Sequence, residues 1–145
     1  MSRYRIVLSG LLCLVLSSCG EPEPYRKPTY PVTGKVTVDG AAPGSAIQVF
    51  CENVGGMDEQ HPTYSQSETK EDGSFAISTY ESGDGVPAGD YVITFVWQDF
   101  NLMSRQYGGP DKLNKRYNDP KTSEFKVTVK EGEPTDMGTI ALTTK

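Results

Sequence analysis

The sequence predicts an all-β domain, a sandwich of about seven short strands, and three observations carry that reading. From Val32 onward, apolar residues recur with period 2 rather than 3.6. The pairs Asp39-Gly40, Asp72-Gly73, Ala88-Gly89 and Glu131-Gly132 punctuate the alternating runs with turn chemistry. No stretch of that region sustains a helical stripe, so sheet packed on sheet is the architecture left.

In the first strand Val32, Gly34, Val36 and Val38 alternate with Thr33, Lys35 and Thr37. A glycine inside a strand predicts a bulge or a close backbone approach. Ile47, Val49 and Cys51 alternate with Gln48 and Phe50 in the second. Residues 66–70 form a short polar strand, and Glu71-Asp72-Gly73 turns it into the run Phe75, Ile77, Thr79. Tyr91, Ile93, Phe95 and Trp97 share one face of the next strand, with Val92, Thr94 and Val96 on the other. A strand apolar on both faces belongs in the middle of its sheet. Phe125, Val127 and Val129 alternate with Lys126, Thr128 and Lys130, and Ile140 with Leu142 closes the chain. Segments 52–65 and 99–123 remain as long loops, a length that goes with function or disorder.

Ahead of the domain lies a different composition. Arg3 and Arg5 precede an apolar run over 6–16, and Leu16-Ser17-Ser18-Cys19 follows at its end. A basic head, a short apolar stretch and small residues make a secretory signal peptide. The run is too short to span a hydrocarbon core, which takes roughly 20 residues. The cysteine directly after the small pair resembles the lipobox of bacterial lipoproteins. That resemblance implies cleavage before Cys19, a thioether-linked diacylglyceryl group on its sulfur and an acylated amino terminus. The expected division is a signal peptide at 1–18, the lipidated cysteine with a Pro-rich tether at 19–31, and the sandwich at 32–145. Prolines 22, 24, 28 and 31 disfavour helix, and an extended spacer of that length reaches roughly 35 Å. Three acyl chains make dissociation from a membrane negligible. The expected location is the bacterial envelope, facing periplasm or exterior. Gly20 stands where an aspartate often marks inner-membrane retention in such lipoproteins, so the outer membrane is favoured.

Composition narrows the partners. The 145 residues carry a net charge of −5, and losing Arg3 and Arg5 with the leader makes it −7. With no Lys/Arg cluster, a nucleic-acid footprint is not expected. Cys13 leaves with the leader and Cys19 takes lipid, so Cys51 alone remains and no intrachain disulfide forms within the domain.

Several pieces together resemble carboxypeptidase-regulatory-like domains. Val32-Thr33-Gly34-Lys35-Val36 leads through a turn to Ala46-Ile47-Gln48-Val49-Phe50, Thr69 to Phe75 matches their Asp-Gly hairpin, and Pro87-Ala88-Gly89-Asp90-Tyr91 matches the entry to a later strand. The segment from Arg116 to Ser123 is similar to one in small envelope lipoproteins with a single such domain. Lys70-Glu71 departs from the acidic residue the family often has early in the turn. The resemblance implies an immunoglobulin-like or transthyretin-like antiparallel sandwich that is not itself an enzyme. Tyr91, two residues after Gly89, is placed for a tyrosine corner, its hydroxyl returning to nearby backbone.

Catalytic chemistry finds little support. His61 is the single histidine, in the 52–65 loop, and nothing around the serines resembles a nucleophile elbow. Cys51, Met57 and His61 offer soft or borderline ligands within eleven residues, which leaves a metal-binding protein as a secondary alternative. Glu81, Asp84 and Asp90 read as a solvated acidic loop rather than a calcium site. Neither a catalytic set, a metal site nor a cofactor is expected. Arg105, Tyr107, Arg116, Tyr117 and Asp119 are the candidate contact residues, because Tyr with Arg is a common interface pairing and Gly108-Gly109-Pro110 permits unusual backbone. Tyr117 plugging one end of the sandwich is the competing reading. The expected function is a structural or protein-interaction role on the envelope, with a small-ligand or glycan-binding module as the alternative.

Overall fold

The computed structural model describes residues 24–145. The leader, Cys19 and the first residues of the tether lie outside the described residues. The strands among them are β1 Val32–Val38, β2 Gln48–Asn53, β3 Ser65–Glu68, β4 Ser74–Ala76, β5 Gly89–Val96, β6 Asp99–Asn101, β7 Gln106–Gly108, β8 Lys126–Val129 and β9 Thr135–Leu142, with no helix. They form a three-stranded sheet, β4-β1-β9, a four-stranded sheet, β3-β2-β5-β8, and a separate hairpin, β6-β7. The domain is the all-β sandwich expected. Val32, Val36 and Val38 from one sheet and Val49, Cys51, Tyr91, Ile93 and Phe95 from the other bury the alternating apolar faces in one core. β5 lies between β2 and β8, and residues 91–95 are all buried.

Three features differ from the sequence reading. β1 pairs with β4 antiparallel but with β9 parallel, so the sandwich is not wholly antiparallel. Parallel neighbours need a long crossover, and here nearly the whole domain supplies it. β9 also begins five residues earlier than its alternation suggested. Its pairing slips between Thr33 and Lys35, where Met137 and Gly138 bulge out with Gly138 at φ +67°; the bulge breaks the period that would have marked the strand. Finally, the 99–123 segment is not a bare loop, because β6 and β7 pair within it.

Gly34 shows why a strand carries a glycine there. A Cβ at this position would sit 2.6 Å from the edge of the buried Phe75 ring, across the β1–β4 pair.

The connections fall at two poles. Tyr30 pairs with Val86 just before β5, which places 24–30, 54–64 and 79–88 at one pole. Trp97 Nε1 donates to Ser45 Oγ at 2.9 Å, which places the end of β5 and the β6-β7 hairpin beside the β1–β2 connection at the other.

The segment expected as a free spacer differs over residues 24–31. Arg26 pairs with Glu81 at 3.0 Å and lies over the Tyr80 ring. Lys27 Nζ lies 2.5 Å from Asp58, and its backbone N–H donates to the Tyr80 hydroxyl. Tyr25 stacks on His61 with ring centroids 4.3 Å apart. These contacts make residues 24–30 a strap across the pole rather than a loose linker.

Candidate functional site

A cleft of about 630 Å³ opens at the strapped pole. The 54–64 loop makes one wall with Met57 and Tyr64, Pro87 and Ala88 make another, and Cys51, Asn53 and Tyr91 lie beneath. Local hydrogen bonds shape the loop. Asn53 Oδ1 accepts from the Gly55 N–H, and Asp58 Oδ1 accepts from the N–H groups of Gln60 and His61. Lys27 and these two amides hold the Asp58 carboxyl down at about 2. Tyr91 donates its hydroxyl to the Pro87 carbonyl at 2.8 Å, four residues upstream, fixing the cleft floor to its wall.

Two potential nucleophiles of the lining, Cys51 and Ser65, are already held. Burial, then the nearby Glu52 carboxylate, push the Cys51 thiol up to about 12, so it stays protonated and unreactive at neutral pH. Ser65 Oγ is spent on Thr79 Oγ1, which itself donates to the Gly85 carbonyl. The His61 ring lies against Tyr25, while Cys51 faces the core. Among the described residues, no three His, Cys, Asp or Glu side chains converge as a metal site would require. The acidic loop residues are separately engaged: Asp84 accepts from the N–H groups of Thr79 and Tyr80, Glu81 pairs with Arg26, and Asp90 accepts from Thr128.

The five candidate contact residues lie away from this cleft in two groups, Arg105 and Tyr107 on the β6-β7 hairpin and Arg116, Tyr117 and Asp119 in the segment after it. Arg105 sits exposed in the β6-β7 turn at φ +54°. Tyr107 faces Phe100 across the hairpin, ring centroids 5.0 Å apart. Partial burial, then the adjacent Glu68 carboxylate, push its hydroxyl up to about 12, which places the hairpin against the β3 edge. Tyr117 lies on the opposite side of β5: its carbonyl accepts from the Phe95 N–H, its hydroxyl from the Thr143 N–H, and its ring packs on Phe125. It closes that end of the core. Arg116 is exposed next to it, and Asp119 caps a turn by accepting from the Lys121 N–H.

Sequence reading missed two features of the far pole. Leu102 and Met103 at the hairpin turn are 82% and 95% exposed, with Phe100 half exposed beside them. Asn101 Oδ1 accepts from the N–H groups of Met103 and Ser104, fixing this apolar tip. Buried Asp111 holds the crossing behind it, accepting from the N–H groups of Trp97, Leu113 and Lys115. Asp111 follows Gly109-Pro110, a loop context that does not by itself tell a buried carboxylate from a solvated one.

No family model matches the chain, and no curated protein matches it. Among solved structures, it is similar to a 9R-lipoxygenase from Cyanothece PCC8801 at 15% identity, with a TM-score of 0.38. That match covers 79% of this chain, which spans 16% of the length of the lipoxygenase.

Proposed function

We propose that this chain is a lipid-anchored, non-enzymatic protein of the bacterial envelope, held by Cys19 at one pole and presenting the β6-β7 hairpin to an envelope protein at the other. The observation that carries the reading is that opposition. The strap leads the chain to one pole, while the rigidly turned tip with Phe100, Leu102 and Met103 stands exposed at the other. Exposed apolar side chains clustered on an ordered element mark interaction sites. Arg105 in the same turn adds a residue enriched at interfaces.

Two measurements test it. Cys19→Ala is expected to move the protein to soluble fractions or to leave the precursor uncleaved; a processed, acylated product overturns the anchor. A photo-crosslinking residue at Leu102 is expected to trap one discrete envelope protein, lost when Met103 is changed to Asp. No discrete adduct, or one unaffected by Met103→Asp, overturns the docking role.

The cleft supports a second reading, a small-ligand or glycan-binding module whose site is the strapped pole rather than 99–123. Tyr64 and Met57 on one wall over the Tyr91 floor, with the amides of Asn53 and Gln66 in the lining, are apt for a sugar or a small amphiphile. Chemical-shift changes confined to Asn53, Met57 and Tyr64 on titration with envelope glycans would favour it; unchanged shifts would dismiss it.

A further inference from the structure

We propose that the strapped pole rests directly on a zwitterionic bilayer surface, with Tyr25, Val54, Met57 and Tyr64 entering the interfacial layer. The inference rests on the anchor reading and deepens it.

Because Arg26, Lys27 and Tyr30 are fastened to the domain, only the five residues after Cys19, from Gly20 to Pro24, separate the proposed lipid attachment from it. Five residues span at most about 18 Å when fully extended, about half the reach of a spacer free to residue 31. An acyl chain seated in the membrane therefore keeps this pole, and not the hairpin, beside the headgroups.

The pole also presents apolar and aromatic side chains to that layer. Tyr25, Val54, Met57 and Tyr64 are all more than half exposed, and Met57 and Tyr64 line the rim of the same cleft. Tyrosine suits a boundary with one apolar and one wet side. Valine and methionine supply the apolar part.

Charge selects the lipid. The connections of this pole together with the strand ends that flank them, 24–30, 52–64, 79–90 and 130–134, carry Arg26, Lys27 and Lys130 against eight carboxylates. An anionic surface would repel that excess. Zwitterionic headgroups present ammonium groups within reach of carboxylates such as Glu52 and Glu59, which have no salt-bridge partner among the described residues.

The test uses the full, acylated protein on vesicles of phosphatidylethanolamine and phosphatidylcholine. Nitroxide labels are placed at Met57→Cys, at Tyr64→Cys as a second site, and at Leu102→Cys on the far pole; native Cys51 is buried and stays unlabelled. The ratio of oxygen to nickel-chelate collision rates is expected to be at least threefold higher at 57 and 64 than at 102. Adding phosphatidylglycerol to about a third of the lipid is expected to lower it at 57 and 64. Equal ratios at all three positions overturn the proposal, as does a label at 57 shielded from both reagents, which marks a cleft filled by a soluble partner. Flotation and intact mass separate the two readings. An acylated protein that floats with vesicles but shows no lipid contact at 57 and 64 sinks this inference alone, whereas an unacylated one sinks the anchor and this inference with it.

Discussion

Asp111 concentrates much of the far pole's order in one side chain. Its two oxygens serve three backbone N–H groups that have no other partner in a loop. Asp111→Ala is expected to cost about 3 kcal/mol in urea unfolding, because it strands the buried Leu113 N–H and the partly buried N–H groups of Trp97 and Lys115; Asp111→Asn, keeping one acceptor oxygen, costs less. Tyr91 makes the matching tie at the strapped pole. Tyr91→Phe keeps the packing and loses the bond to Pro87, an expected loss of about 1 kcal/mol, while Tyr91→Ala also opens a cavity and reaches about 3–5 kcal/mol. Both are read from the same denaturation curves. Cys51 gives a chemical test of burial: at pH 8 the native thiol is expected to resist a maleimide for hours and to react fully in denaturant. Prompt native labelling would mean the cleft floor opens to solvent. Of these residues, Tyr91 and Cys51 were legible from alternation. Asp111 was not, since nothing local distinguishes a buried carboxylate from a solvated one until the amides it serves are folded round it.

Among elements, the strap is held by two ion pairs, Arg26–Glu81 and Lys27–Asp58, and by backbone contact. The Asp58 carboxyl sits at about 2, chiefly through Lys27 and then through two backbone amides. An unfolded aspartate titrates near ~3.9. The depressed value means that the contribution of Asp58 to holding the strap is complete above about pH 4 and is lost as pH falls through about 2. Amide exchange at Arg26 and Lys27 is expected to accelerate over that window, and Asp58→Asn to remove the pH dependence. Gly85 secures the other end of the strap. It adopts φ +86°, and a Cβ there would fall 1.7 Å from the Tyr30 carbonyl oxygen. Gly85→Ala is expected to lower stability by about 3 kcal/mol and to break the Tyr30–Val86 pairing, seen as lost protection at Tyr30. The strands of the sandwich were readable because a half-buried strand imposes its period on the sequence. β6 and β7 were not, because their three-residue runs are too exposed to need a pattern. The strap escaped for a related reason: its partners Asp58, Tyr80 and Glu81 are distant in sequence, and proline content speaks only to backbone shape.

For the molecule as a whole, the proposed polarity makes three zones: lipid, closed core, exposed tip. Leu102→Asp with Met103→Asp is expected to leave the melting temperature within a degree or two, since both side chains are almost fully exposed, while abolishing co-purification of the partner. A large fall in stability would mean the tip is structural. The antiparallel bias of the fold was legible at this scale. The pairing of the first and last strands side by side in one direction was not, because it joins residues a hundred positions apart. That pairing has a mechanical consequence. A load applied at Lys145 against a fixed amino-terminal end would drag β1 and β9 past each other along their length. Their ladder would then bear tension across all its rungs simultaneously instead of opening rung by rung. The ladder therefore resists a pull along the chain's two ends, and single-molecule stretching between them should meet a higher rupture force than stretching through β3 and β8.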